Sequence, residues 1–312
     1  MLQMKTILIQ SDVKGAEEFR VYLKSTLADF NVVNSIREAE LSEIEVVIIW
    51  LDIPSFLKSL PNLKLILSCG SGVEHIIDSP YLSPVVPLVR LVDDYLINRV
   101  SNYVVEQILE KYFPNTNIVN ITEDQPEIFK TIHQNKIRVG IMGLGLLGSA
   151  SATKLINFGF EVSGWVSTKK ERVIDDVFIG EAELCNFAKK CNVLVCQLPL
   201  TSETKGILNT HLFNFLPDAS FLINVGRGGH LVESDLILAL ENKKLSGACL
   251  DVLEVEPIPL NHPFNKYPNI KVTPHVAGYI GPDTQAPYAS KVIKDFFNND
   301  IIKGVVNYNT FY

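Results

Sequence analysis

Short apolar runs alternate with amphipathic stretches along the first third of the chain. The runs TILI near residue 7, VVIIWL near residue 48 and LKLILS near residue 65 are typical of buried parallel strands. Residues 13–28, between the first two runs, carry apolar side chains at helical spacing. Because parallel strands are joined through right-handed crossovers, the pattern predicts a doubly wound α/β sheet.

A second and longer series of strand-like runs begins near residue 138. An amphipathic stretch, residues 93–113, and a polar stretch, residues 114–135, separate it from the first series. Six strands are predicted from the runs RVGIMG, EVSGWV, NVLVCQLP, SFLINVG, GACLDVL and IKVTPH. The series is long enough to form a second, complete α/β domain.

The last amphipathic stretch, residues 283–299, indicates how the two domains are connected. No strand-like run follows it, so we expect a helix that returns to the first domain. We therefore predict one domain of residues 1–96 and 285–312, with residues 97–284 inserted as the other. The length of 312 residues exceeds one typical core and agrees with two domains.

Composition restricts the classes of function. Hydrophobic residues make up 47% and charged residues 20% of the chain, as in ordinary globular proteins. The net charge of −7 argues against a nucleic-acid partner. We expect neither a signal peptide nor a membrane span, because no apolar run is long enough. The five cysteines form no C-x-x-C pair, which favours buried reduced thiols and a cytoplasmic protein.

A glycine fingerprint, VGIMGLGLLGSA, follows the first predicted strand of the second domain. Gly143, Gly145 and Gly148 have the spacing G-x-G-x-x-G and precede a helix-like stretch, which is the context that indicates a dinucleotide site. We expect the three glycines to allow a tight turn, the approach of a pyrophosphate and helix packing, respectively. An ordinary glycine-rich turn is the alternative. The predicted cofactor contacts here are Gly143, Leu144, Gly145, Leu146, Leu147 and Gly148.

The end of the next predicted strand, EVSGWV, bears on which dinucleotide binds. An acidic residue there would recognise the ribose 2′-hydroxyl of NAD. The chain instead has Val166 at about this position, followed by Ser167, Thr168 and Lys169. Hydroxyls and a cation suit a 2′-phosphate, so the sequence predicts NADPH, with NADH as the less favoured cofactor. Solvated turn residues are the alternative interpretation.

Three polar residues each lie just past an apolar run: Arg227 in INVGRGG, Glu256 in LDVLEVEP and His275 in VTPHVAG. A guanidinium can hold a carboxylate with a fork of donors. An imidazole can give a proton to a carbonyl oxygen near neutral pH, and a carboxylate can keep that imidazole charged. Singly, each could be an ordinary loop residue. Together they suit reduction of a carbonyl group beside a carboxylate.

The segments around these residues resemble a known family. NVLVCQLPLTSETKGILN, FLINVGRGGHLVESDLILALENKKLSGACLDVLEVEPIPLNHPF and YPNIKVTPHVAG are similar to the D-isomer-specific 2-hydroxyacid dehydrogenases. IIWLDIP, CGSGVEHI and VPLVRLVDDYL resemble the glyoxylate/hydroxypyruvate reductases of the A type within that family. The resemblance implies a Rossmann dinucleotide-binding domain inserted into a flavodoxin-like substrate domain, and a homodimer. It also implies NADPH-dependent reduction of small 2-keto acids, namely glyoxylate to glycolate and hydroxypyruvate to D-glycerate.

The resemblance further implies roles for individual residues. Arg227 would bind the substrate, His275 would donate the proton and Glu256 would pair with His275. Asp251 would accept a hydrogen bond from the nicotinamide carboxamide, with a helix cap as the alternative. Trp50 would cover the substrate, although an aromatic residue there is often part of a core. Further cofactor contacts are implied for Leu198, Pro199, Thr204, Val225 and Gly226.

Other candidate residues lie outside these motifs. The loop CGSGVEH offers successive N–H groups, including those of Ser71 and Gly72, that can bind a substrate carboxylate, with a simple turn as the alternative. The remaining histidines have no zinc-binding pattern, so we expect no metal. His75 lies in this loop, and no obvious partners are seen for His133, His211, His230 and His262.

Two other functions stay open on the sequence. One is a different D-2-hydroxyacid dehydrogenase, such as a D-lactate type. The other is a non-catalytic scaffold that senses a dinucleotide and keeps the same three polar residues. Residues 111–136 also lack the tryptophan that relatives carry in a segment of the dimer contact.

Overall fold

The computed structural model describes residues 5–51, 53–77, 79–113, 136–168 and 174–308. The chain divides into a first unit of residues 1–96 and 279–312 and a second unit of residues 97–278. Residues 279–284, assigned to the inserted domain by the sequence prediction, therefore lie in the first unit. The reason is that the last helix begins at Pro282 and packs on the first helix of the chain.

The first unit contains a five-stranded parallel sheet. Its strands are β1 (Lys5–Ile9), β2 (Phe30–Val33), β3 (Ile44–Ile49), β4 (Leu65–Ser68) and β5 (Leu88–Arg90). The strand order is β2-β1-β3-β4-β5, which is the flavodoxin order and confirms the predicted fold. Two longer helices, α1 (Ala16–Thr26) and α7 (Pro282–Phe297), belong to this unit, together with short 3-10 helices at Ile36–Glu38, Leu41–Glu43 and Ser55–Ser59.

Both faces of this sheet are buried, which explains why its strands are apolar without alternation. On one face Ile7, Ile9, Val46 and Ile48 pack against α1 and α7. On the other face Leu8, Val47, Ile49 and Ile66 pack against Leu57, Ile76 and Leu82 from the connecting segments.

The second unit contains a seven-stranded parallel sheet. Its strands are β6 (Arg138–Met142), β7 (Glu161–Val166), β8 (Val177–Ile179), β9 (Val193–Cys196), β10 (Ser220–Asn224), β11 (Leu245–Leu250) and β12 (Ile270–Val272). The order is β12-β11-β10-β9-β6-β7-β8, so it reverses between β6 and β9 as in Rossmann domains. A ligand is expected at the carboxyl ends of the strands near that reversal.

Helices cover both faces of the second sheet. They are α2 (Asp94–Tyr112), α3 (Leu146–Asn157), α4 (Glu181–Lys190), α5 (Thr210–Phe215) and α6 (Glu233–Glu241), with 3-10 helices at Gly228–His230 and Pro263–Lys266. Val104 and Leu155 of α2 and α3 pack on one face, and Phe187, Phe213 and Leu236 of α4, α5 and α6 pack on the other.

The five cysteines differ in burial. All five are free, and Cys191, Cys196 and Cys249 are buried. Burial raises the pKa of the Cys191 thiol to about 12, so the group is protonated at neutral pH. Within the described part of the chain, no helix is both long and apolar enough to cross a membrane.

Candidate active site

The glycine fingerprint forms a tight turn between β6 and α3. Gly143 has a φ of +95°, which is in the left-handed region that favours glycine, and its N–H donates to Trp165 O at 2.8 Å. A Cβ at Gly148 would lie 1.8 Å from Gly143 O, so the close approach of α3 to the turn requires glycine there. The first and third glycines therefore have the backbone roles that the sequence predicted.

The turn also leaves space for a phosphate group. A Cβ built on Gly145 would meet no heavy atom within 4 Å, so the backbone is open at this residue. The hydrogen bond from Ser149 N to Gly145 O, at 2.9 Å, closes the first turn of α3. The N–H groups of Leu146, Leu147 and Gly148 lie before this bond in the chain. They belong to the first turn of α3, where backbone N–H groups have no partner within the helix, and this suits a pyrophosphate. The residues present thus fit a dinucleotide.

The end of β7 carries the residues predicted to discriminate the ribose. Val166 ends the strand and is partly buried, and Ser167 and Thr168 after it are exposed. The Val166 carbonyl accepts a hydrogen bond from Gly180 N at 2.9 Å, which ties β7 to the start of α4. Lys169, the predicted cation of this turn, lies outside the described residues.

His275 and Glu256 form a pair beyond β11 and β12. His275 Nδ1 lies 3.0 Å from Glu256 Oε2, and about half of the imidazole side chain is exposed. Glu256 Oε1 accepts a hydrogen bond from Leu253 N at 2.9 Å. Since one carboxylate oxygen is held by the backbone, the other is fixed toward the imidazole. No hydrogen bond to His275 Nε2 occurs among the described residues.

Asp251 holds the loop that presents His275. Its carboxylate is 2% exposed and accepts hydrogen bonds from Thr273 Oγ1 at 2.5 Å, Val276 N at 2.9 Å and Ala277 N at 2.9 Å. The loop places His275 at a φ of +53°, which a non-glycine residue rarely adopts. Asp251 therefore has a structural role that the sequence did not predict. Its contact with the nicotinamide carboxamide stays a prediction.

The hydroxyl of Tyr103 extends this network to α2. It lies 2.6 Å from Thr273 Oγ1 and 3.2 Å from Cys249 Sγ, and burial raises the pKa of the phenol. The Cys249 thiol donates to Gln107 Oε1 at 3.3 Å. A buried polar chain thus connects α2 to the carboxylate that organises the His275 loop.

Arg227 follows β10, at the same edge of the sheet. Its backbone carbonyl accepts from Asn224 Nδ2 at 3.0 Å and its backbone N–H donates to His230 Nδ1 at 3.0 Å. The guanidinium donates through Nη1 to Gly226 O at 2.7 Å. The segment that carries the predicted substrate arginine is therefore fixed at both its N–H and its carbonyl.

The other predicted cofactor residues lie in neighbouring segments. Thr204 Oγ1 donates to Pro199 O at 2.6 Å, which closes the loop that follows β9. Leu198 is buried next to this loop, and Val225 N donates to Cys196 O at 3.2 Å. Gly226 packs on His230, because a Cβ there would lie 2.9 Å from His230 Nδ1. These residues share the carboxyl edge of the sheet with the glycine turn.

The predicted substrate contacts of the first unit lie at the carboxyl ends of β3 and β4. The Trp50 carbonyl is 3.1 Å from His75 Nε2, and the Trp50 ring centroid is 4.5 Å from Lys14 Nζ. In the loop after β4, Ser71 O accepts from Arg90 Nη1 at 3.2 Å, and Gly72 is buried. Whether these residues bind substrate stays a prediction.

The expectation that the other histidines have no partners is wrong for several of them. His230 bonds to Arg227 and Pro199, and His262 Nε2 lies 3.0 Å from Glu233 Oε2. Their partners are up to 31 residues away along the chain, so the spacing of residues in the sequence did not indicate these hydrogen bonds. His133 lies outside the described residues. Among those that are described, no group of three or more His, Cys, Asp or Glu side chains could hold a metal.

The second unit thus presents a dinucleotide turn, a fixed arginine and an imidazole–carboxylate pair at one edge of one sheet. Dehydrogenases that use a nicotinamide cofactor have this combination, since the cofactor supplies hydride chemistry and the protein supplies orientation and a proton. The fold and the site define that class.

Comparisons with known proteins identify the family. Residues 112–277 match the family described as D-isomer specific 2-hydroxyacid dehydrogenase, NAD binding domain. Glyoxylate/hydroxypyruvate reductase A of Escherichia fergusonii is 37% identical over 253 residues, which are 79% of this chain and 81% of that protein. The chain belongs to the D-isomer-specific 2-hydroxyacid dehydrogenase family and is an NAD(P)-dependent oxidoreductase acting on 2-hydroxy or 2-keto acids.

Solved structures are similar over nearly the whole chain. A D-isomer specific 2-hydroxyacid dehydrogenase from Xanthobacter autotrophicus Py2, in complex with NADPH and MES, has a TM-score of 0.86 at 29% identity, covering 99% of this chain and 100% of that one. The NADPH-dependent glyoxylate/hydroxypyruvate reductase from Sinorhizobium meliloti, in complex with NADP and sulfate, has a TM-score of 0.83 at 32% identity with the same coverage. Both agree with the predicted family and fold.

Proposed function

We propose that this enzyme reduces small 2-keto acids with NADPH, converting glyoxylate to glycolate and hydroxypyruvate to D-glycerate. The observation that carries the proposal is the pair of His275 Nδ1 and Glu256 Oε2 at 3.0 Å, with the other oxygen of Glu256 bonded to a backbone N–H. A carboxylate held in this way fixes the orientation of the imidazole, so that Nε2 can face a substrate carbonyl as a proton donor. The relatives named for glyoxylate and hydroxypyruvate support this choice of substrates.

In the proposed mechanism the residues of the second unit bind the substrate and deliver a proton. The Arg227 guanidinium donates hydrogen bonds to the substrate carboxylate and orients the adjacent carbonyl. His275 Nε2–H donates its proton to the carbonyl oxygen, and Glu256 holds the ring in position through its bond to Nδ1. When bound, the dinucleotide supplies the hydride that the carbonyl carbon receives. The neutral His275 afterwards takes a proton from water, so that one keto acid, one NADPH and one proton give one hydroxy acid and one NADP⁺.

The choice of NADPH rests on the end of β7 and on the relatives. An acidic residue would pair with a ribose 2′-hydroxyl, whereas Val166 carries no charge to repel a 2′-phosphate. Ser167 and Thr168 are exposed beside it and offer hydroxyl donors. The similar structures were solved with NADPH or NADP.

Other parts of the hypothesis stay predictions. We keep Trp50, Ser71 and Gly72 as proposed substrate contacts, and the remaining cofactor residues named from the sequence as proposed contacts. A homodimer and a cytoplasmic location are also predictions.

Steady-state kinetics test the proposal. We expect oxidation of NADPH, faster than that of NADH, with glyoxylate or hydroxypyruvate, and slower turnover with pyruvate. NADPH binding without turnover of any of these acids would favour the scaffold alternative, and a preference for pyruvate would favour the D-lactate type.

Glu256→Gln is a matched variant for the proton-transfer step. The amide keeps an acceptor for Leu253 N–H but removes the charge beside His275. We expect kcat to fall by about 10²-fold, within the range of general acid catalysis, while the Kd of NADPH changes little. A wild-type kcat in this variant would contradict the assigned role of the pair.

A further inference from the structure

His230 is a fully buried imidazole that connects two segments of the second unit. Its side chain is 0% exposed and lies at the end of the 3-10 helix that follows Arg227. His230 Nδ1 is 3.0 Å from Arg227 N, and His230 Nε2 is 3.1 Å from Pro199 O. The two ring nitrogens therefore bond to different segments.

The donors and acceptors around the ring favour one tautomer over the other. Arg227 N–H is a donor, so Nδ1 must be its acceptor, and Pro199 O is an acceptor, so Nε2 must carry the hydrogen. Nδ1 also lies 3.1 Å from Arg227 O, but a hydrogen on Nδ1 would leave Arg227 N–H without this acceptor. A ring with its hydrogen on Nε2 and a free lone pair on Nδ1 satisfies both segments at once.

The ring also sets the spacing between these segments. A Cβ built on Gly226 would lie 2.9 Å from His230 Nδ1 and 3.2 Å from Leu198 O, so His230, Gly226 and Leu198 are in close contact. Each segment has a second tie, from Asn224 Nδ2 to Arg227 O at 3.0 Å and from Thr204 Oγ1 to Pro199 O at 2.6 Å. His230 bonds to both segments and so couples their positions.

We propose that His230 is a positioning residue that holds the substrate arginine and the cofactor loop in register, with one ring nitrogen serving each segment. The proposal rests on the proposed function, in which Arg227 binds the substrate carboxylate and the Leu198–Pro199 loop contacts the dinucleotide. His230 touches neither ligand and acts through backbone groups. Loss of one ring nitrogen is therefore expected to affect the binding of one ligand more than that of the other.

Two variants separate the two hydrogen bonds. In His230→Asn the amide oxygen takes the place of Nδ1, which keeps the bond to Arg227 N–H and removes the bond to Pro199 O. In His230→Gln the amide nitrogen reaches the place of Nε2, which keeps the bond to Pro199 O and removes the bond to Arg227 N–H. The energy of one neutral hydrogen bond predicts changes of about threefold to tenfold.

The expected outcome is a crossed pattern. His230→Asn should raise the Kd of NADPH, measured by nicotinamide fluorescence, more than it raises the KM of glyoxylate. His230→Gln should raise the KM of glyoxylate more than the Kd of NADPH. His262→Asn serves as the control, because it removes the bond from His262 Nε2 to the Glu233 carboxylate in the same unit and should change the melting temperature but neither constant.

Equal changes of both constants in both variants, or no change in either variant, would overturn the proposal. If the wild-type protein binds NADPH but reduces no keto acid, the proposed function fails. The Kd of NADPH in His230→Asn would still test whether the bond from His230 to Pro199 positions the cofactor loop. If the variants do not fold, imidazole NMR of the wild-type protein replaces them. The His230 signals should show the Nε2–H form and shift when NADPH saturates the protein, and unshifted signals would overturn the coupling.

Discussion

An added methyl group should have different effects at two glycines of the fingerprint. At Gly148 it should destabilise the fold, and at Gly145 it should weaken cofactor binding. At Gly148 the added Cβ would lie 1.8 Å from Gly143 O, whereas ordinary contact begins near 3.4 Å. The start of α3 must therefore retreat by roughly 1.6 Å in Gly148→Ala. Overpacking of this kind costs about 1–3 kcal/mol, which for a domain of this size lowers the melting temperature by about 2–12 °C.

Gly145→Ala provides the matched comparison three residues earlier. Gly145 has a φ of −74°, which alanine adopts without strain, and its Cβ would contact no protein atom within 4 Å. The free energy of unfolding should stay the same or rise by about 0.4–1 kcal/mol, because alanine restricts the unfolded chain. The methyl group would nevertheless occupy the space where the pyrophosphate approaches. Loss of one charge-assisted hydrogen bond, about 1.5–3 kcal/mol, would raise the Kd of NADPH by about 10- to 150-fold.

The assay is thermal unfolding of each variant without cofactor, combined with NADPH titration followed by nicotinamide fluorescence. We expect Gly145→Ala to melt at or above the wild-type temperature and to bind NADPH weakly. Gly148→Ala should melt below the wild-type temperature. Wild-type affinity in Gly145→Ala would refute the placement of the pyrophosphate, and wild-type stability in Gly148→Ala would refute the close contact at the turn.

Three further predictions concern the arginine, the ribose site and the thiols. Arg227→Ala should lower kcat/KM for glyoxylate by about 10²-fold or more, because charged hydrogen bonds to the substrate are lost, and should leave the Kd of NADPH unchanged. Near-normal turnover would contradict the role of Arg227. Val166→Asp should shift the ratio of kcat/KM values toward NADH, because a carboxylate pairs with a 2′-hydroxyl and repels a 2′-phosphate; an unchanged ratio would argue against the assignment. Burial raises the pKa of the Cys191 thiol to about 12 and that of Cys249 to about 11, against about 9 in the unfolded chain. Below pH 9 these thiols are protonated in both states, and above pH 9 the unfolded chain loses their protons first, which lowers the free energy of unfolding. The melting temperature should therefore fall between pH 9 and pH 11. Cys191→Ala should reduce this fall.

Much of the fold could be predicted because its information is local. The strands β1, β3, β4, β6, β9, β10 and β11 have four to six residues, nearly all buried and most of them apolar, whereas β7 buries three of its six residues. Strands that are covered on both faces need apolar residues on both faces, so runs of this kind indicate a parallel sheet. The strands β5 and β8 have three residues each, and pairing with β4 and β7 defines their place in the two sheets.

Part of the candidate site could also be predicted from local sequence. The fingerprint, Arg227, Glu256 and His275 stand in motifs whose chemistry is readable from neighbouring residues. The sequence also determined the family and the reaction class, since these depend on the kinds of side chains and their order.

The tertiary structure decided which groups hold those residues in place. Asp251 bonds to residues 22 to 26 positions later in the chain, and His230 bonds to Pro199, 31 positions earlier. Parallel strands bring such residues together at one edge of the sheet, but the pairing of their atoms depends on strand register and on the path of each loop. Spacing along the chain records neither quantity, so a buried histidine and a loop-forming carboxylate acquire their roles only when the chain is folded.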